Sequence, residues 1–204
     1  MKTVIFIPGI WMPAFTTHFL REQVAHCGYE VRSFGYASVL DSWQENIDTL
    51  YHFIAHYDRP VVLVGHSLGG LLSAAVVNQH PHLNVEQIIM LGSPIAGSRA
   101  GRALSRRGIG RRMMGGSCDI LYKGLEQLPK SIPVRMIAGQ SRFGLGRVLT
   151  RLPYPHDGTV AVEETRLEGL ADHVILPVNH TGMLFSRPVV RAICHYLAAP
   201  VLTG

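Results

Sequence analysis

Residues 61–70 read Val61-Val62-Leu63-Val64-Gly65-His66-Ser67-Leu68-Gly69-Gly70. A short run of Val and Leu with no polar alternation is how a strand buried on both faces reads. Leu68 to Gln79 is nearly all apolar and stops before Pro81, the pattern of a buried helix. Between them stands G-x-S-x-G, where a strand turning abruptly into a helix leaves the serine hydroxyl exposed at the C-terminal edge of a sheet. A larger side chain at Gly65 or Gly69 is expected to clash in so tight a turn. Ser67 therefore reads as a nucleophile; the bland alternative is a serine that two glycines flank by chance.

On either side of this stretch strands and helices alternate. Val4 to Ile7, Ile88 to Leu91 and Val134 to Ala138 repeat the buried-strand pattern. Val174 to Val178 suits a sheet edge because Pro177 lacks an amide donor, and the more polar Tyr29 to Tyr36 suits the other edge. Trp43, Ile47, Leu50, Ile54 and Tyr57 lay one apolar stripe along a helix that Ser42 and Glu45 can open as a capping box. Phe15 to Cys27 reads as a helix stopped by Gly28, and the last helix has Pro188 in its first turn with Val190, Ile193 and Leu197 as its stripe. The expected fold class is α/β, a doubly wound, mostly parallel six-stranded sheet of order 2-1-3-4-5-6. Residues 97–130, rich in Gly and Arg, break the rhythm and are expected to form an irregular cap or excursion.

Composition bounds the rest. With 204 residues, 47% of them hydrophobic and 16% charged, the chain can bury one sizeable core, so a single domain over 1–204 is expected and disordered or fibrous classes drop out. Cys27, Cys118 and Cys194 lie far apart with no CxxC pair, which suggests neither a disulfide framework nor a zinc site and favours a reducing, cytoplasmic setting. Pro8-Gly9 interrupts the apolar start, so Val4 to Ile7 is a strand rather than a signal peptide, and no run approaches the roughly 18 residues of a membrane span. The net charge of +5 owes much to Arg99, Arg102, Arg106, Arg107, Arg111 and Arg112. No zinc-finger spacing or RNP-like motif accompanies them, so nucleic acid is not an expected partner.

A serine hydroxyl needs a base to take its proton, and the base needs an acid to hold its tautomer, in the chain order Ser, Asp or Glu, His. Of eleven histidines, His180 is the one in a loop directly after the last expected strand. His66 neighbours the nucleophile and should point elsewhere, His195 lies inside the final helix, and His18, His52, His56, His80 and His82 precede the final strands. Asp157, in the loop Pro155-His156-Asp157-Gly158-Thr159, is the best-placed acid, with Asp119 and Asp172 as worse-placed alternatives. Oxyanion donors are expected from the amides of Leu68 and of Ile10, in the loop after the first strand. A simple turn at Pro8-Gly9 is the alternative there. If the strand order holds, the first and third strands flank the switch point where open α/β sheets bind ligands.

Gly65-His66-Ser67-Leu68-Gly69-Gly70 together with His180-Thr181-Gly182-Met183-Leu184-Phe185-Ser186 resembles the small lidless bacterial lipases and PGAP1-like hydrolases of the α/β-hydrolase superfamily. The resemblance implies a minimal six-stranded hydrolase fold with nucleophile, acid and base at Ser67, Asp157 and His180, and Ile10 as the oxyanion residue. The chain departs from that pattern by having Pro8 in place of a histidine and Trp11 in place of a second glycine. The expected activity is cleavage of carboxylic esters through an acyl-serine intermediate, with no cofactor and no metal. A thioesterase or acyltransferase would use the same groups, and a non-catalytic binding protein could keep the fold. The expected partners are a small acyl ester and, through Arg99 to Arg112, an anionic lipid or membrane surface.

Overall fold

The computed structural model describes residues 2–106, 110–141 and 152–199. Its strands are β1 (Thr3–Ile7), β2 (Glu30–Ser33), β3 (Val61–His66), β4 (Val85–Leu91), β5 (Val134–Gly139) and β6 (Asp172–Leu176). They form one sheet of order β2-β1-β3-β4-β5-β6, every neighbouring pair parallel. The helices are α1 (His18–His26), α2 (Trp43–Ala55), α3 (Leu68–Gln79), α4 (Arg99–Arg106), α5 (Gly110–Met114), α6 (Cys118–Lys123) and α7 (Arg187–Ala198).

Alternation along each strand builds two cores. Ile5, Ile7, Leu63, Ile88 and Met136 face α2 and α3 on one side, where Ile47, Leu50, Leu71 and Leu72 complete the packing. Val4, Phe6, Val62, Val64, Ile89 and Ile137 face α1 and α7 on the other, against Leu20, Val24, Val189 and Ile193. The expected capping box opens α2: Ser42 Oγ accepts from the Glu45 amide and Glu45 accepts from the Ser42 amide. The expected helix over Phe15 to Cys27 is shorter, a 3-10 turn at Ala14–Thr17 followed by α1, and Gly28 at φ 90° ends it. The last strand stops at Leu176 rather than Val178, because Pro177 has no N–H to give a neighbour.

Two expectations need correction. The described part of residues 97–130 is not wholly irregular, since α4, α5 and α6 fall within it. Tertiary contacts compensate for poor helix formers there: the Glu164 carboxylate accepts from the Arg99 amide at the start of α4, and Leu121 and Cys118 of α6 are buried in the core. Cys27 and Cys194, expected to be unpaired, form a disulfide across 167 residues, because α1 and α7 lie side by side on one face of the sheet. Their Cα atoms are 6.6 Å apart, and Cys118 remains a buried thiol. Among the described residues no helix is long and apolar enough to cross a membrane.

Candidate active site

In a parallel sheet every strand ends at the same edge, so the loops after β1, β3, β5 and β6 converge. Ser67 follows β3 immediately and heads α3, with φ 53° and ψ −117°. Positive φ is costly for a residue with a side chain, and it persists where the surroundings fix it. The Ser67 amide donates to the Leu91 carbonyl at 2.8 Å. A Cβ on Gly65 would run into the backbone of Gly69 and Gly70, and one on Gly69 into the carbonyls of Ile7 and Pro8. The expected crowding at this turn is therefore present.

His180 follows β6 and is tied to Asp157 twice, by Nδ1 to Oδ2 at 2.7 Å and by its amide to the Asp157 carbonyl at 2.9 Å. Asp157 Oδ1 accepts from the amides of Thr159 and Val160 at 2.9 and 2.7 Å. Burial alone would raise the carboxyl's pKa, but the His180 charge and hydrogen bond, with those two amides, outweigh it and hold Asp157 below its ordinary value. Asp157 is 1% exposed, against 8% for Ser67 and 9% for His180. The acid is thus sealed in while the other two groups stay reachable. With Nδ1 committed to the carboxylate, Nε2 is the nitrogen left to exchange a proton with a nucleophile.

The competing acids are elsewhere. Asp172 is exposed at the start of β6, on the sheet edge opposite Ser67, and binds the amide of His173. Asp119 lies on α6, in the connection between β4 and β5, and the His180 Nδ1 partner is Asp157.

The loop after β1 lies against the nucleophile: a Cβ on Gly9 would stand 3.2 Å from Ser67 Cβ. Among the described residues no backbone hydrogen bond takes up the amide of Ile10 or of Leu68. Neither expected oxyanion donor is spent on a backbone carbonyl.

His66 is the residue that sequence reasoning passed over. It is buried, its ring centroid is 4.7 Å from that of His180, and its Nε2 lies 3.0 Å from the His180 carbonyl, so Nε2–H donates there. Burial and the neighbouring His180 push its pKa down to about 3, which keeps the ring neutral. A histidine beside the nucleophile reaching the backbone of the base is visible only once β6 is placed.

The arginine-rich segment is partly engaged. Arg99 pairs with Glu163 and Arg102 donates to the Tyr122 carbonyl at 2.7 Å, and Arg112 is exposed. Arg107 and Ile109 lie outside the described residues. Large apolar side chains at the surface include Trp11, Leu40, Met113 and Phe185. Among the described residues no group of three or more His, Cys, Asp or Glu could hold a metal ion.

Solved structures share this fold. The lipase BlEst2 of Bacillus licheniformis in its mature form superposes with a TM-score of 0.78 at 20% identity, covering 95% of this chain and 91% of that one. The chain has the α/β-hydrolase fold. A metagenomic carboxyl esterase, MGS0156, matches with a TM-score of 0.77 at 14% identity over 96% of this chain and 75% of its own. The surfactin thioesterase domain SrfTE matches with a TM-score of 0.65 at 12% identity over 98% and 92%. The family model of the PGAP1-like alpha/beta domain matches residues 13–103, which takes in Ser67 and ends before Asp157 and His180. No curated protein sequence matches.

Proposed function

We propose that this chain, with the α/β-hydrolase fold, is a serine hydrolase of carboxylic esters. The observation that carries the reading is the buried His180–Asp157 pair, 2.7 Å apart, at the sheet edge where Ser67 is held at φ 53°. In this reading Ser67 Oγ attacks the acyl carbonyl as its proton passes to His180 Nε2. The carbonyl π pair becomes an oxyanion held by the Ile10 and Leu68 amides. Collapse expels the alkoxide, which takes the proton from His180, and leaves the acyl group on Ser67. Water then repeats the steps, giving its proton to His180 and releasing the acid. Asp157 keeps the proton on Nδ1 and offsets the imidazolium charge.

The likeness to the surfactin thioesterase domain keeps a thioester as the second reading, because the acyl-serine is common to both and only the leaving group differs. Acyl transfer would differ in turn by its acceptor. The test is labelling by a fluorophosphonate, then turnover of p-nitrophenyl esters from acetate to palmitate beside matching acyl-CoA thioesters. Labelling abolished by Ser67→Ala, with esters preferred, is the expected result. Preference for acyl-CoA selects the thioesterase, and an unlabelled wild type leaves a binding protein on this fold.

A further inference from the structure

Trp11 is the second non-glycine residue with positive φ among the described residues, at 58°, and like Ser67 it belongs to the site. The Met12 amide donates to the Gly9 carbonyl at 3.3 Å, so residues 9–12 form a turn with Ile10 and Trp11 in its centre. A turn with positive φ at the third position alone is of type II, where glycine is the favoured residue. An exposed tryptophan there gains little from burial: 54% of its surface faces solvent. What it has instead is directional bonding. Its amide donates to Ser38 Oγ at 3.2 Å, and its indole Nε1–H donates to the Met113 carbonyl of α5 at 2.8 Å. Ser38 is itself held, since its carbonyl accepts from Ser117 Oγ beside α6 at 2.7 Å.

From these contacts we infer that Trp11 is a positioning residue, a latch through which the segment carrying α5 and α6 holds the Ile10 amide over Ser67. The inference rests on the ester-hydrolase reading, in which Ile10 is an oxyanion donor. A tryptophan in a glycine conformation keeps it only while anchored. Without the indole bond, relaxation to negative φ turns over the peptide between Ile10 and Trp11 and moves the loop that bears the donor. Oxyanion donors act on the tetrahedral state more than on the bound ester, so the loss should fall on kcat.

The latch makes an unusual demand: the smaller substitution should do less harm. Trp11→Phe keeps a ring but loses the N–H and still resists positive φ. Trp11→Gly loses the bond as well, yet adopts positive φ freely. On p-nitrophenyl butyrate, Trp11→Phe should lose about tenfold in kcat with KM little changed, and Trp11→Gly should stay within about threefold of wild type. A trifluoromethyl ketone reads the donor directly, because Ser67 Oγ adds to its carbonyl, the π pair goes to oxygen and the proton goes to His180. Its affinity should fall with kcat in Trp11→Phe and recover in Trp11→Gly. Ser38→Ala, which removes the acceptor of the Trp11 amide, should act in the same direction as Trp11→Phe. Wild-type kcat and ketone affinity in Trp11→Phe, or a loss in Trp11→Gly as great as in Trp11→Phe, overturns the latch. In either case fluorophosphonate labelling of Ser67 persists, whereas a wild type that neither labels nor turns over esters overturns the ester-hydrolase reading and the latch with it.

Discussion

Asp157 concentrates the chemistry of single residues. It is sealed from water, accepts two backbone amides on one oxygen and His180 Nδ1 on the other, and so fixes both the place and the tautomer of the ring. Asp157→Asn should leave the fold intact and lower kcat by roughly a thousandfold or more, since an amide can donate to Nδ1 and move the proton to Nε2. The check is ester turnover with circular dichroism as control; near-normal turnover would remove Asp157 from its role. His66 yields a different prediction. Its pKa is pushed down from 6.5 to about 3 in the folded chain, so below pH 6.5 the unfolded chain binds a proton that the folded one refuses. Stability is therefore full above pH 6.5 and falls as pH drops toward 3, at about 1.4 kcal/mol per pH unit. Partly buried His173, also lowered, adds to the fall, while Glu164, raised above its ordinary 4.5 by burial, works against it. Asp157 contributes only below 3.8, where its own stabilisation begins to be lost. Urea midpoints between pH 7 and 4.5 should drop in the wild type and vary much less in His66→Phe.

Among elements, the junction of β3 with α3 is the place where backbone meets backbone. A Cβ on Gly69 points at the carbonyls of Ile7 and Pro8, so Gly69→Ala must push α3 away from the end of β1. That costs about 1–3 kcal/mol, as overpacking does, and shifts Ser67 relative to the Ile10 amide. Both the urea midpoint and kcat should fall; a variant as stable and active as wild type would mean the junction can give. This junction was legible in the sequence because its pattern is local: an apolar run, two glycines around a serine and an apolar helix within 19 residues, Val61 to Gln79. The same holds for the edge strands, marked by Pro177 and by the polar Tyr29 to Tyr36. The helices between Arg99 and Lys123 were not legible. Their glycines oppose helix formation, and what sustains them comes from far along the chain: Glu164 at the Arg99 amide, and the turn at residues 38–42, bridged to Gly116. His66 was missed for a related reason, since its partner, the His180 carbonyl, is 114 residues away.

At the scale of the whole molecule the Cys27–Cys194 disulfide is the feature that the spacing of the cysteines could not announce. It joins the residue after α1 to α7, closing a loop of 167 residues on the core face opposite α2 and α3. Cross-linking so long a loop restricts the unfolded chain, which on the chain-entropy view stabilises the fold by about 5 kcal/mol. The bond pulls against the reducing, cytoplasmic setting expected from the cysteine count, because such bridges persist where the surroundings are oxidising. It also lies away from the chemistry: a helix following a parallel strand runs back along it, so the end of α1 sits at the sheet edge opposite Ser67. Stability and activity should therefore separate. Denatured without reductant, the protein should titrate one thiol, that of Cys118, and after reduction three. Cys27→Ser should lower the urea midpoint yet leave kcat and KM for a p-nitrophenyl ester close to wild type under native conditions. Three thiols titrating before reduction in protein prepared under oxidising conditions would refute the bridge. A large loss of kcat in a folded Cys27→Ser variant would instead mean that α1 and α7 transmit their packing to the site.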